Sequence, residues 1–134
     1  MIGLDTNVLL RYLTADDPVQ SPLARRLIDD TLGAGDQLYV SLVALVEAVW
    51  TLRSGFDVSR EELCDTVAAL VATDGVNVQD ADVVDRAVAL SRSGGCDLAD
   101  AIIAELGRRV GCAYTATFDV TAAQRLGSMQ LVPA

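Results

Sequence analysis

The sequence predicts an α/β protein with a mostly parallel sheet of about five strands and helices on both faces. Two observations predict this. Short apolar runs of three to five residues alternate with longer stretches whose apolar residues recur at helical spacing. Gly, Ser, Asp or Pro then punctuates nearly every junction. Strands separated by helices cannot form hairpins, so their pairing is parallel and both sheet faces are covered.

Ile2-Gly3-Leu4-Asp5 reads as a short buried strand ending at an acid, and Asn7 to Leu13 as a helix with Thr6 or Asn7 as its cap. Asp16-Asp17-Pro18 is a turn. A helix follows from Val19 to Leu32 and stops at Gly33-Ala34-Gly35. Leu38-Tyr39-Val40 is the second strand. Ser41 caps a helix from Leu42 to Arg53, closed by Ser54-Gly55. Ser59 with Glu62 three residues on forms a capping box for a helix reaching Ala72. Val76-Asn77-Val78 is a third strand. Asp80 to Ser91 and Asp97 to Val110 are helices, separated by Ser93-Gly94-Gly95. Ala113 to Ala116 is a strand, Val120 to Arg125 a short helix, and Met129 to Val132 a last strand. No repeat, linker or low-complexity tract divides residues 1–134, so one domain is expected.

Composition removes whole classes of chemistry. The chain has no His, which excludes Ser-His-Asp and Cys-His catalysis and hydrolysis run by an imidazole pair. It has no Lys, which excludes a phosphate loop of the Walker type, Schiff-base enzymes and an ordinary protein kinase. Cys64, Cys96 and Cys112 form no Cys-x-x-Cys pair and read as reduced, mostly packed thiols. Met1 leads straight into Ile2-Gly3-Leu4 without a basic leader, and no apolar run is long enough to span a bilayer. A cytoplasmic location without membrane contact is expected. Nineteen acidic residues against ten Arg leave a net charge of −9, which opposes a phosphate backbone as partner unless cations neutralise some of the acids. Two divalent ions would offset four negative charges locally.

The acids themselves are patterned. Asp5 and Asp119 each follow a predicted strand, and the carboxyl edge of a parallel sheet is where such folds bind ligands. Either could be no more than a helix cap. Glu47 lies in Leu42-Val43-Ala44-Leu45-Val46-Glu47-Ala48-Val49-Trp50, where a charge must reach solvent or find a partner. Asp97 and Asp100 are neighbours at the start of one helix. Asp97 suits an N-cap, whereas Asp100 precedes Ala101-Ile102-Ile103-Ala104 and is the better candidate for a carboxylate in a cleft. Carboxylates gathered in one cleft repel one another unless cations neutralise them. Oxygen ligands select Mg²⁺ or Mn²⁺. Such ions serve phosphodiester hydrolysis by acidifying water and neutralising developing charge, without help from His or Lys.

These residues carry a resemblance. Ile2-Gly3-Leu4-Asp5-Thr6-Asn7-Val8-Leu9-Leu10, Val46-Glu47, Asp97-Leu98-Ala99-Asp100-Ala101-Ile102-Ile103-Ala104 and Thr115-Ala116-Thr117-Phe118-Asp119 resemble, in order, the four motifs of PIN domains. Asp16-Asp17-Pro18 and the chain length are similar to the VapC-type ribonuclease toxins within that family. The resemblance implies a three-layer α/β/α sandwich and Mg²⁺-dependent cleavage of RNA. Asp5, Glu47, Asp100 and Asp119 match the acidic quartet, and Asp97 a further, commonly acidic position. Thr6, Asn7 and Thr117 match polar positions around the site. A homodimer and an inhibitory antitoxin of the VapB type are implied as partners. The mean hydropathy of +0.35 also suggests an apolar face for pairing. A metal-free site in so acidic a chain is expected to be a strongly negative concavity that admits a basic side chain of the inhibitor. A non-catalytic PIN-fold module binding protein or RNA is the alternative, and a DNA-cleaving nuclease a variant of the first reading.

Overall fold

The computed structural model describes residues 1–134. The element order is β1 (Ile2–Gly3), α1 (Thr6–Thr14), α2 (Gln20–Gly33), β2 (Leu38–Val40), α3 (Leu42–Ser54), α4 (Arg60–Ala72), β3 (Val76–Val78), α5 (Ala81–Gly94), α6 (Leu98–Arg109), β4 (Thr115–Thr117), α7 (Val120–Arg125) and β5 (Met129–Leu131). Every predicted strand and helix is present. All the strand pairs are parallel, as the alternation requires.

The five strands divide into two ladders. β1, β2 and β3 form one in that order, and β4 pairs with β5 in the other. Ile2 stands opposite Leu38 and Gly3 opposite Tyr39, while Leu38 to Val40 pair with Val76 to Val78. The second ladder pairs Thr115 to Thr117 with Met129 to Leu131. β1 spans two residues, so it offers little backbone for a second neighbour, and the ladder ends there.

Each crossover in the first ladder carries two helices: α1 and α2 join β1 to β2, and α3 and α4 join β2 to β3. One cluster of 27 buried residues runs through the fold. Leu9, Val40, Leu45, Cys64, Val84, Ala87, Ala101, Ile102 and Ala104 are wholly covered within it. Leu45, Ala48, Val49 and Leu52 supply the inward stripe of α3 at helical spacing. Leu98, Ala101, Ile102 and Ala104 do the same for α6. The two helices pack on one another, α6 packs on α5, and α1 packs on α2 and α3. Three cysteines remain free thiols, with Cys64 and Cys96 buried and Cys112 exposed. No helix is long and apolar enough to cross a membrane.

Local capping differs from expectation at two acids. The cap of α1 is Asp5, not Thr6 or Asn7: its Oδ1 accepts from the Thr6 backbone N–H at 2.9 Å, because extended backbone at Asp5 (φ −71°, ψ 158°) already starts the helix. Asp97 precedes α6 with cap-like backbone but makes no side-chain cap bond. Its carboxylate turns instead to Arg53. Ser41 and Ser59 cap α3 and α4 as expected, accepting from Ala44 and Glu62 backbone N–H groups at 3.1 Å.

Candidate active site

The ends of the strands deliver the polar residues. Asp5 follows β1 after Leu4, Ser41 follows β2, Gln79 follows β3 and Asp119 follows β4 after Phe118. Asp119 caps α7, its Oδ1 accepting from the Ala122 N–H at 2.9 Å, while its own N–H donates to Thr117 Oγ1 at 3.0 Å. The cap reading of Asp5 and Asp119 is therefore correct as far as it goes. Each cap uses Oδ1, and Oδ2 makes no hydrogen bond within the chain.

Asp97, Asp100 and Asp119 line one concavity of about 370 Å³. Asp100 is half-buried there, and its carboxyl titrates above the usual range. Loss of hydration on burial is the main cause, and the negative charges of Asp97 and Asp119 add to it. The repulsion expected of gathered acids is thus felt at Asp100. Thr121 shares the lining.

Glu47 belongs to a second group. Its Oε2 accepts from Thr6 Oγ1 at 3.5 Å, and Thr6 is the residue whose N–H Asp5 caps. Thr6 thereby ties Asp5 and Glu47 across 41 residues of sequence. No Arg pairs with Glu47, and it reaches solvent from an otherwise apolar helix. Asn7 lines a groove between α1 and α2 with Arg11, Gln20 and Leu23.

The two groups do not meet in one cage. No three carboxylates or thiols lie close enough together to hold an ion as they stand. The donor chemistry nevertheless suits a hard divalent cation, since every donor is oxygen and Asp5 and Asp119 each keep one free carboxylate oxygen. Mg²⁺ in particular retains most of its waters and needs only one or two protein carboxylates.

Three further residues share the concavity and were not singled out from the sequence: Arg53, Arg60 and Arg125. Arg53 Nε lies 3.5 Å from Asp97 Oδ1. Arg60 Nη1 donates to the Ser91 carbonyl at 2.6 Å and Arg125 Nη1 to the Gly95 carbonyl at 3.2 Å. The concavity is therefore mixed in charge, not the strongly negative surface that the composition suggests. One signal was legible: Arg60 occupies the first turn of α4, where the helix dipole disfavours a cation.

A family model described as PIN domain matches residues 2–125. The chain belongs to the PIN-domain family. PIN domains are nucleases that usually depend on divalent metal, and the seven helices with parallel strands agree with the α/β/α architecture of the family. The match begins at β1 and ends with α7, so it takes in all four acid-bearing segments of this PIN domain. A search of the curated proteins finds no match to the chain.

Proposed function

We propose that this PIN domain is a metal-dependent endoribonuclease of the VapC toxin type, with residues 1–134 acting as one domain in the cytoplasm. The observation that carries the reading is the concavity shared by Asp97, Asp100 and Asp119, at the start of α6 and the end of β4. Membership of a nuclease family supports it. With no His or Lys to act as base or electrophile, the carboxylates are the groups best suited to the work.

Asp5, Glu47, Asp100 and Asp119 are the proposed catalytic and metal-holding residues, with Asp97 as an additional candidate ligand. A bound Mg²⁺ or Mn²⁺ would supply an acidified water and neutralise charge on the phosphate. Asp119 would turn its free Oδ2 to the cation while Oδ1 keeps α7 capped. Asp5 would do likewise from the start of α1. Asp100, half-buried between like charges, gains most from a cation beside it. Thr6 positions Glu47, and Thr117 positions Asp119 through its backbone N–H.

The partners proposed are RNA, a second copy of the chain and a VapB-like antitoxin. Exposed Val43 and Trp50 on α3 and Phe118 after β4 provide apolar surface for pairing. Leu23 and Leu27, exposed along the α1–α2 groove, would take an inhibitor's apolar anchors, and a basic side chain of it would pair with carboxylates such as Asp5 and Asp119.

The test is cleavage of single-stranded or loop RNA by rigorously pure protein. EDTA should abolish it, and Mg²⁺ or Mn²⁺ should restore it; undiminished cleavage in EDTA rejects the proposal. A second reading, a non-catalytic PIN module, is favoured by one observation: no three carboxylates form a ready cage. Calorimetry with Mn²⁺ separates the two, since a module without a metal site binds none at micromolar concentrations.

A further inference from the structure

Arg60 and Arg125 stand out among the ten Arg residues. Both lie in the carboxylate concavity, yet neither forms an ion pair with any acid, in a chain where acids outnumber Arg by 19 to 10. Each is held by a backbone carbonyl instead, Arg60 by Ser91 and Arg125 by Gly95. A neutral carbonyl fixes a guanidinium without cancelling its charge, and it occupies one of five N–H donors.

The two anchors have a common address. Ser91 and Gly95 flank the turn that leads from α5 into α6, and α6 begins with Asp97 and Asp100. Ser91 Oγ closes that turn by donating to the Cys96 carbonyl at 2.6 Å. The same turn therefore sets the position of both Arg side chains and of both acids. Gly95 adopts φ +74°, and a Cβ there would run into the Arg125 guanidinium, so the approach of Arg125 depends on glycine at this position.

We propose that Arg60 and Arg125, with Arg53 beside them, bind backbone phosphates of the RNA strand lying in this concavity, and so position the scissile bond against the carboxylates. The inference rests on the ribonuclease reading above and deepens it. A chain of net charge −9 repels RNA at long range, so phosphate attraction must be local. Guanidinium forks match phosphate oxygens in geometry as well as charge. Arg53 is partly engaged by Asp97, with both side chains about half exposed, which leaves it able to turn to an arriving phosphate.

The experiment measures binding of a fluorescein-labelled single-stranded oligoribonucleotide by anisotropy, with Ca²⁺ in place of Mg²⁺, across a range of salt. The proteins are wild type, Arg60→Gln, Arg60→Lys, Arg125→Ala and, as a control on the exposed face of α2, Arg26→Ala. Arg60→Gln and Arg125→Ala should each weaken binding about tenfold. The slope of log affinity against log salt should fall by about 0.7 for each phosphate no longer neutralised. Arg60→Lys should recover the slope, and Arg26→Ala should match wild type. A role confined to anchoring the turn would lower melting temperature without moving the slope. If Arg60→Gln does not fold, Arg125→Ala decides alone. Wild-type affinity and slope in the folded variants overturn the proposal while leaving metal-dependent cleavage standing. A wild-type protein that neither binds nor cleaves RNA overturns the ribonuclease reading, and the phosphate assignment falls with it.

Discussion

Arg53 Nε, on the last turns of α3, stands 3.5 Å from Asp97 Oδ1 at the threshold of α6, joining residues 44 positions apart in the sequence. The Asp97 carboxylate turns to this guanidinium and makes no cap bond to the first turn of α6. It also means that a positive charge already stands at the edge of the candidate metal site.

Replacing Arg53 with Ala should therefore cost little stability, below about 1 kcal/mol, because both side chains are about half exposed and solvent screens them. The affinity for Mn²⁺ should rise, since a competing cation has left Asp97. Calorimetric titration of both proteins checks this; weaker Mn²⁺ binding by the variant would mean that Arg53 supports the site instead of competing for it.

Asp100→Asn should raise the melting temperature of the metal-free protein at neutral pH. Its carboxyl titrates above the usual range, so holding it ionised costs stability, and that cost is relieved as pH falls through the raised folded value. Asn removes the charge and with it the cost. The same change should reduce Mg²⁺-dependent cleavage by about 100-fold or more. Calorimetric scans and a cleavage assay test the two halves, and a variant less stable than wild type but fully active would contradict both.

Asp5→Asn keeps an oxygen to accept from the Thr6 N–H, whereas Asp5→Ala removes it. Asn should leave stability within a few tenths of a kcal/mol and Ala should cost about 1 kcal/mol. Both should abolish cleavage. An active Asp5→Asn protein would reduce Asp5 to a cap.

Glu105 offers a pH prediction away from the site. It is 2 % exposed and accepts from Arg108 Nε and Nη2 at 3.0 and 2.6 Å and from Arg109 Nε at 3.0 Å, while Arg109 also pairs with Asp82 on α5. The hydrogen bond from Arg108, followed by that from Arg109, holds its carboxyl at about 2, below the usual 4.5. A depressed carboxyl contributes stability above its unfolded value and loses it as pH falls through the folded one. The contribution should be complete above about pH 5 and decline from there toward pH 2. Glu105→Gln should remove about 2 kcal/mol at neutral pH, lowering the melting temperature by roughly 8 °C, and should flatten the acid limb of stability against pH. An unchanged acid limb would show that Glu105 is not the group responsible.

Light scattering at micromolar concentration should give twice the monomer mass of 14.1 kDa. The apolar residues left exposed, among them Val43, Trp50 and Phe118, motivate this. A monomer mass would reject pairing.

The order of elements, the punctuation between them and the acids at their ends were legible from residues 1–134 alone. Helical spacing in α3 and α6, Ser41 and Ser59 before their helices, and alternation of short apolar runs are local features, and local sterics and solvation act within a few residues. The absence of His and Lys likewise narrows the chemistry through composition alone. What only the tertiary structure decided lies through space. The division of the strands into three and two depends on which backbone edges meet after the helices pack. The tie from Thr6 to Glu47, the turn of Asp97 toward Arg53, and the presence of Arg60 and Arg125 beside Asp100 and Asp119 depend on how α1, α3, α4, α6 and α7 are set against one another. Side-chain periodicity says which face of a helix is buried, but the neighbour brought to its polar edge is chosen by the packing of segments tens of residues apart.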